Sequence, residues 1–246
     1  GIDNVLHDAL RHSDVLVTNV RGAWANTMAE HILAGLLYFG RCLDRHAQAT
    51  DWKADRRHWP HQTLAGSSCC IFGAGSIAAA LIPRLQACGC RCLAVTRRGR
   101  PVAGAAQNFT SEALPEALAA SHHLVILAPS TPATRGRFDR ATLEGLRPGG
   151  VLVNASRGDL LIEADFLACL DSGRLAGACL DVTDPEPPAA DSPLWNHPRV
   201  LLTGHCAAMG GEADQRPFEV FLHNCRHFLA GDLDGMRCVV DKEAGY

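Results

Sequence analysis

The chain lacks any long uninterrupted hydrophobic stretch and any strong excess of one charge. Its longest apolar run, around residues 32–39, is far shorter than a membrane-spanning helix, which needs roughly 20 apolar residues. With 26 acidic and 23 basic side chains, the formal net charge is −3. Such a balance gives no electrostatic reason to expect nucleic acid or an anionic membrane as a partner. We therefore expect a globular protein that binds neither.

The eleven cysteines lack the pattern of a disulfide framework. Their number is odd, and several lie within apolar runs such as Cys69-Cys70-Ile71-Phe72. Cysteines in this setting pack as small hydrophobic side chains and indicate a reducing compartment, so we expect a cytoplasmic protein. Cys88, Cys90 and Cys92 follow one another at alternate positions, without the two-residue gap of a zinc motif. Strand packing explains them better than a metal site, and we expect no metal.

From residue 68 onward, short apolar segments alternate with segments of helical periodicity. This alternation predicts an α/β fold with a doubly wound parallel sheet, covered by helices on both faces. Pro83 falls inside one predicted helix, where it removes a hydrogen bond, and the sequence offers no account of it. The predicted strands are residues 69–72, 90–95, 124–128, 151–154, 177–182 and 200–203, and the predicted helices are residues 76–87, 112–120, 139–146 and 163–171.

The two ends of the chain lie outside this alternation. A short strand is predicted at residues 15–17. Apolar positions between Trp24 and His46 recur at helical spacing, which predicts one long helix. A further helix is predicted at roughly residues 213–230. The two long helices would be the crossings between a main domain and a second, smaller domain.

A glycine-rich turn follows the first strand of the alternation and opens a helix. It is Gly73-Ala74-Gly75-Ser76-Ile77-Ala78. Gly73 permits the tight turn, and Gly75 lets the backbone approach a pyrophosphate that the helix N-terminus at Ser76 and Ile77 stabilises. A glycine pattern alone arises often by chance, but between a strand and a helix it predicts a dinucleotide-binding site.

The next strand ends without the carboxylate that usually binds the ribose hydroxyls of NAD. Thr96, Arg97 and Arg98 stand there instead, about twenty residues after the turn. Thr96 does not repel a 2′-phosphate, and the two arginines can form charge-assisted hydrogen bonds with one. We therefore expect NADP as the cofactor, with NAD possible. The alternative is a solvated basic turn without a role.

Three polar residues stand just beyond the carboxyl ends of successive predicted strands, where open parallel sheets build their sites. They are Arg157, Glu186 and His205; Asp181 precedes Glu186 in the same connection. Taken singly, they could be a surface arginine, a loop glutamate and a capping histidine. Together they form a candidate catalytic group.

With these motifs the sequence resembles the D-isomer-specific 2-hydroxyacid dehydrogenase family over essentially its whole length. Within the family it is most similar to the glyoxylate/hydroxypyruvate reductase branch, because of residues 96–98 and Ser192-Pro193-Leu194-Trp195. The resemblance rests on Gly1-Ile2-Asp3, Met28-Ala29-Glu30, the glycine turn, residues 128–134, Asn154-Ala155-Ser156-Arg157-Gly158, Leu180-Asp181-Val182, Glu186-Pro187 and Thr203-Gly204-His205.

The resemblance implies a hydride transfer between NAD(P)H and a small 2-oxo acid. Arg157 would bind the substrate carboxylate and polarise its 2-oxo group. His205 would donate a proton to the carbonyl oxygen, with its ring oriented by Glu186. Replacing His205 by Ala should then lower turnover by about 10²–10⁴-fold. The positions that match cofactor contacts of the family are Thr134, Ala155, Ser156 and Asp181.

The resemblance also implies a domain organisation and a homodimer with the first long helix in the interface. Residues 1–22 would be a remnant of a flavodoxin-like substrate domain, residues 23–205 the dinucleotide-binding domain, and residues 206–246 a return to the substrate domain. Family members carry a further segment before Gly1-Ile2-Asp3, so we expect the chain to be part of a longer protein rather than a natural fragment. Gly204 replaces the family's usual proline and loosens the turn that aims His205.

A second class of function remains open on the sequence. Some proteins of this fold bind a dinucleotide and act as sensors or corepressors with little catalysis. The presence of Arg157, Glu186 and His205 together favours the enzyme, a dinucleotide-dependent 2-oxo acid reductase.

Overall fold

A computed structural model describes residues 2, 5–52, 56–210, 215–243 and 245. The strands are β1 Ser68–Phe72, β2 Arg91–Val95, β3 Gln107–Phe109, β4 His123–Ile126, β5 Gly150–Asn154, β6 Leu175–Leu180 and β7 Val200–Leu202. They form one sheet in the order β3-β2-β1-β4-β5-β6-β7, and each neighbouring pair is parallel. The predicted doubly wound α/β fold is confirmed.

Helices cover both faces of this sheet: α2 Ala25–Gly40 and α4 Ser76–Ala87 lie on one face, and α5 Leu114–Ala119, α6 Arg140–Glu144 and α7 Glu163–Asp171 lie on the other. The remaining described α-helices are α1 Asp8–Arg11, α3 Leu43–Gln48 and α8 Arg216–Leu229. Alternate residues of β1 enter opposite core layers: Cys69 and Ile71 pack with α2 and α4, whereas Cys70 and Phe72 pack with α5, α6 and α7. Burial on both faces explains why the central strands are mainly apolar and show no alternation of apolar and polar residues.

The direction of strand addition reverses between β1 and β4. From β1 the sheet runs outward through β2 and β3 on one side, and through β4 to β7 on the other. A crevice opens at such a reversal, outside the carboxyl ends of the strands, and it is where sheets of this kind bind ligands. The glycine turn follows β1 and so lies at this crevice.

The prediction of one helix from Trp24 to His46 is wrong, because the helix breaks after Gly40. The Gly40 carbonyl accepts a hydrogen bond from the N–H of Gln62 (2.7 Å), and Cys42 adopts a left-handed conformation with φ of 54°. A left-handed residue cannot continue a right-handed helix, so a separate helix, α3, starts at Leu43.

Other differences lie near the chain ends and the sheet edge. The strand predicted at residues 15–17 does not form; Thr18 instead makes an isolated antiparallel bridge with Val239. Edge strand β3 and the short helix α1 were not predicted. The first residues of the helix predicted at 213–230 lie outside the described part of the chain, and its described portion begins at Arg216.

Pro83 fits inside α4 because its position faces solvent. Proline removes the hydrogen bond that would reach the carbonyl of Ala79, one turn earlier. Both Ala79 and Pro83 are exposed, so water can satisfy that carbonyl. The next carbonyl, of Ala80, accepts a hydrogen bond from the Arg84 guanidinium (2.6 Å). The proline therefore leaves no buried polar group without a partner in this turn.

Acid is expected to destabilise the fold through His123, which opens β4 and is 1% exposed. Burial, with a smaller contribution from His122, lowers the pKa of His123 to about 4. The unfolded chain, with a histidine pKa of about 6.5, binds the proton more tightly, so stability is complete above that pH and falls as the pH drops toward 4. The shift corresponds to about 3 kcal/mol of unfolding free energy.

Urea unfolding at pH 7 and pH 4.5 would measure this effect. His123→Gln keeps an acceptor for the Val151 N–H, which His123 Nδ1 now accepts at 3.3 Å, but it does not titrate. The variant should lose less stability on acidification than the wild type, whereas the exposed control His12→Gln should not differ from the wild type. An equal loss in all three proteins would contradict the assignment.

Candidate active site

The glycine turn after β1 is shaped for close approach by a ligand. Gly73 has a φ of +98°, and a Cβ there would lie 2.5 Å from the backbone nitrogen of Ala128. Gly75 differs, because a Cβ there would meet no atom within 4 Å. Gly75 is the N-cap of α4 and has no side chain to cap it, so the amides around Ser76 and Ile77 can bind an anion. The turn therefore fits a pyrophosphate.

The end of β2 carries a basic segment beside this turn. Thr96 donates its N–H to the Phe109 carbonyl (3.0 Å), and the Arg97 and Arg98 side chains are exposed. Arg100, which the sequence reasoning missed, donates its backbone N–H to Thr96 Oγ1 (3.0 Å) and its guanidinium to the Ala74 carbonyl (2.5 Å). Arg100 thus lies against the glycine turn and adds a third arginine to the basic segment. Arg100 could have been predicted from the sequence, because it lies only two positions after Arg98 in the same basic segment.

The end of β5 fixes Arg157 through a buried asparagine. Asn154 Oδ1 accepts hydrogen bonds from the N–H and hydroxyl of Ser156 (3.2 and 2.9 Å), and its Nδ2 donates to the Arg157 carbonyl (2.9 Å). Ala155 is buried between them. The Arg157 backbone is extended, and its guanidinium donates to the Ser156 carbonyl (2.7 Å). Asn154 therefore organises the loop that presents the guanidinium, a role that the sequence reasoning did not assign.

The loops that follow β5 and β6 touch at Gly158. A Cβ on this residue would lie 2.0 Å from the carbonyl carbon of Thr183, so only glycine fits. The contact places the Arg157 loop directly against the loop that carries Glu186.

Thr134 lies in a loop that follows β4. Its hydroxyl donates to the Pro129 carbonyl (2.7 Å) and accepts the N–H of Thr131 (2.9 Å). In the same loop, Ser130 donates its hydroxyl to Asp159 Oδ2 (2.6 Å), beside Gly158. The described contacts of Thr134 are thus within its own loop, and its contact with a cofactor stays a prediction.

Asp181, at the end of β6, is buried and accepts three hydrogen bonds. They come from the Thr203 hydroxyl (2.6 Å) and from the backbone N–H groups of Cys206 (2.9 Å) and Ala207 (3.1 Å). The carboxylate thus anchors the turn that carries His205. This is an additional role to the cofactor contact predicted for it, which stays a prediction.

His205 and Glu186 form a close pair. His205 Nδ1 lies 2.5 Å from Glu186 Oε1, and both side chains are about half exposed. His205 has a φ of 52°, in the left-handed region that non-glycine residues seldom occupy. With Nδ1 bound to the carboxylate, Nε2 is the ring atom left to exchange a proton with a ligand.

The three predicted catalytic residues follow adjacent strands, β5, β6 and β7, at one edge of the sheet. At this edge the protein presents a guanidinium that can bind an anionic group and an imidazole that Glu186 orients for proton transfer, and the glycine turn follows β1 of the same sheet. Within the described residues, no cluster of three or more His, Cys, Asp or Glu side chains could hold a metal ion. None of the described helices has the length and hydrophobicity to cross a membrane.

Residues 33–207 match the NAD-binding domain model of the D-isomer specific 2-hydroxyacid dehydrogenases. The chain belongs to this family. The predicted family and the predicted NAD(P)-dependent dehydrogenase are thereby confirmed. The residues of Gly1-Ile2-Asp3, which contributed to the resemblance, lie outside the described part of the structure apart from Ile2.

The chain is similar over its whole length to several known proteins. An uncharacterized protein of Corynebacterium melassecola is 32% identical over 251 residues, covering 100% of this chain and 81% of the relative. A family member from Xanthobacter autotrophicus Py2, crystallised with NADPH and MES, is 30% identical with a TM-score of 0.88 and covers 100% of both chains. The NADPH-dependent glyoxylate/hydroxypyruvate reductase of Sinorhizobium meliloti, crystallised with NADP and sulfate, is 30% identical with a TM-score of 0.88, covering 100% of this chain and 78% of its own.

Proposed function

We propose that this dehydrogenase reduces a small 2-oxo acid of the glyoxylate or hydroxypyruvate type to the D-2-hydroxy acid, with NADPH as the reductant. The observation that carries the proposal is the 2.5 Å contact between His205 and Glu186 at the edge of the sheet that also presents Arg157. An oriented imidazole and a guanidinium at the same edge of the sheet match what the reduction of a 2-oxo acid requires. A protein that only senses a dinucleotide has no need of this pair.

The mechanism follows from the chemistry of these side chains. When bound, the reduced nicotinamide supplies the hydride. Arg157 binds the substrate carboxylate through its planar guanidinium and polarises the neighbouring carbonyl, which lysine could do only as a point charge. His205 donates a proton from Nε2 to the carbonyl oxygen as that oxygen gains negative charge. Glu186 holds the ring through Nδ1, so the imidazole keeps one orientation.

The preference for NADPH rests on the end of β2. No carboxylate stands there, and Thr96 is followed by Arg97 and Arg98, with Arg100 folded back onto the glycine turn. The positive charges of this segment would attract a 2′-phosphate, and no carboxylate there would repel it. The two relatives that were crystallised with NADPH or NADP support the same assignment.

Oxidation of NADPH, followed at 340 nm with glyoxylate, hydroxypyruvate and pyruvate, tests the proposal, with NADH measured in parallel. We expect turnover with the first two acids and a higher kcat/KM for NADPH than for NADH. Turnover with NADH alone would preserve the dehydrogenase but remove the phosphate-site argument. Tight NADPH binding without turnover of any 2-oxo acid would instead favour the sensor.

Thr96→Asp is expected to weaken NADPH binding by about tenfold, because the new carboxylate would face the 2′-phosphate. The side chain keeps an acceptor for the Arg100 N–H, so the local fold should survive. Thr96→Asn is the matched neutral control and should bind NADPH as the wild type does. Titration of NADPH fluorescence gives both values of Kd. Equal binding by the Asp and Asn variants would place the 2′-phosphate elsewhere.

We further propose a homodimeric cytoplasmic enzyme with the domain division expected from the sequence. The eleven cysteines are free thiols, which supports a reducing compartment. The two chain ends form a small cluster of their own, in which Ile2 and Leu6 pack with Val240, and this supports a second domain built from residues 1–22 and 206–246. Size-exclusion chromatography with light scattering would test the dimer.

A further inference from the structure

The turn that carries His205 has little stiffness of its own. Residues 203–207 follow β7, and Gly204 in their middle has no side chain; a Cβ there would meet no atom within 4 Å. The next residue, His205, holds a left-handed φ of 52°. A non-glycine residue keeps such a conformation only where surrounding contacts impose it. The orientation of His205 therefore depends on what holds the turn from outside.

One outside contact comes from α2, on the far side of Asp181. His31 Nε2 lies 3.3 Å from Thr203 Oγ1 and 3.9 Å from Asp181 Oδ1. The single hydroxyl proton of Thr203 is committed to the Asp181 carboxylate, which can only accept (2.6 Å). Thr203 Oγ1 must therefore accept, and His31 Nε2–H donates to it. The result is a directed chain of hydrogen bonds from His31 through Thr203 to Asp181.

His31 is well placed to act as a fixed point. It is one-fifth exposed and belongs to a 16-residue helix whose other face packs into the core through Ile32 and Leu36. Its sulfur neighbour, Cys179 Sγ at 3.7 Å, carries no charge at neutral pH, because burial raises the pKa of this thiol to about 12. The nearest charge to His31 Nε2 among these neighbours is thus the Asp181 carboxylate.

We propose that His31 is a positioning residue for the reduction: through Thr203 and Asp181 it holds the 203–207 turn and so aims the His205 ring. His31 does not touch the substrate, and its effect rests on the proposed role of His205 as proton donor. Removing the N–H donor leaves the Thr203 hydroxyl held only by its hydrogen bond to Asp181, so the contact that ties the start of the turn to α2 is lost.

Two variants test this role. His31→Leu removes the donor at similar size, and we expect kcat to fall about fivefold to tenfold, as for the loss of one hydrogen bond, with the Kd for NADPH unchanged. His31→Gln keeps an N–H donor at similar reach and should restore kcat to within about twofold of the wild type. Glu30→Gln, on the neighbouring exposed position of α2, is the control and should match the wild type.

Hydrogen exchange of the peptides that cover residues 203–207 gives a readout independent of turnover. His31→Leu should accelerate exchange of the Cys206 and Ala207 amides, which donate to Asp181, whereas His31→Gln should not. Unchanged exchange and kcat in His31→Leu would overturn the proposal, as would a loss that Leu and Gln share equally. A parallel loss of NADPH affinity would show a merely structural role. If the wild type reduces no 2-oxo acid, the proposed function fails, and the exchange comparison still decides whether His31 holds the turn.

Discussion

The His205→Asn enzyme is expected to lose about 10²–10⁴-fold in kcat, the usual contribution of a positioned general acid. Asn is preferred to Ala for this test because His205 has a φ of 52°, a conformation that Asn tolerates better than most residues. The backbone of the turn should therefore survive the change. The Kd for NADPH should stay near the wild-type value, because the substitution leaves the glycine turn and the basic segment after β2 intact. Single-turnover reduction of glyoxylate and NADPH fluorescence separate the two effects.

A matched control for this prediction is His197→Asn. His197 precedes β7, at the opposite end of this strand from His205, and pairs with Asp171 (3.3 Å). The His197→Asn substitution should therefore leave kcat unchanged. Glu186→Gln should reduce kcat less than His205→Asn, because the amide can still hold Nδ1 but carries no charge. Wild-type turnover in His205→Asn would remove this residue from the mechanism.

Asp181→Ala is expected to lower the unfolding free energy by about 4 kcal/mol, because three donors lose their common acceptor in a buried site. Two of them are backbone N–H groups, of Cys206 and Ala207, which cannot turn toward solvent without moving the turn. Catalysis should fall together with stability, since the same turn presents His205. Thermal unfolding of the cofactor-free protein gives the first quantity, and kcat the second.

This measurement also separates two roles of Asp181. If the carboxylate served only as a cofactor contact, the cofactor-free protein would unfold at the wild-type temperature and only NADPH affinity would change. Asp191→Ala, at an exposed aspartate in the connection before β7, controls for the loss of a charge and should leave both stability and kcat unaltered. A destabilisation below about 1 kcal/mol in Asp181→Ala would contradict the anchoring role.

The sequence predicted the sheet because its inner strands are buried on both faces. β1, β4 and β5 are buried at every position, so they stand out as short runs that are mainly apolar. Edge strand β3 is only three residues long, two of them polar and exposed, which leaves no periodicity to detect. The break after Gly40 could not be predicted for another reason. The Gly40 carbonyl bonds to the N–H of Gln62, more than twenty positions further along the chain.

The sequence predicted where the candidate site residues lie relative to the strands, but it did not predict which side chains they contact. Residues that follow neighbouring parallel strands must lie at one edge of the sheet, which placed Arg157, Glu186 and His205 correctly relative to the strands. The contacts of Arg100 and His31 are tertiary, with Ala74 and Thr203 respectively. No local pattern encodes such contacts.

Gly73 and Gly75 are two positions apart, yet the protein's own packing restricts only the first of them. At Gly73 the protein forbids a side chain by itself, since the Ala128 backbone occupies the space. At Gly75 the described part of the protein leaves the space empty, so packing does not require glycine there. A screen of variants for correct folding should therefore reject a side chain at Gly73 and accept one at Gly75. A requirement for glycine at Gly75 would appear only in a screen for activity, as expected if a pyrophosphate binds there as proposed.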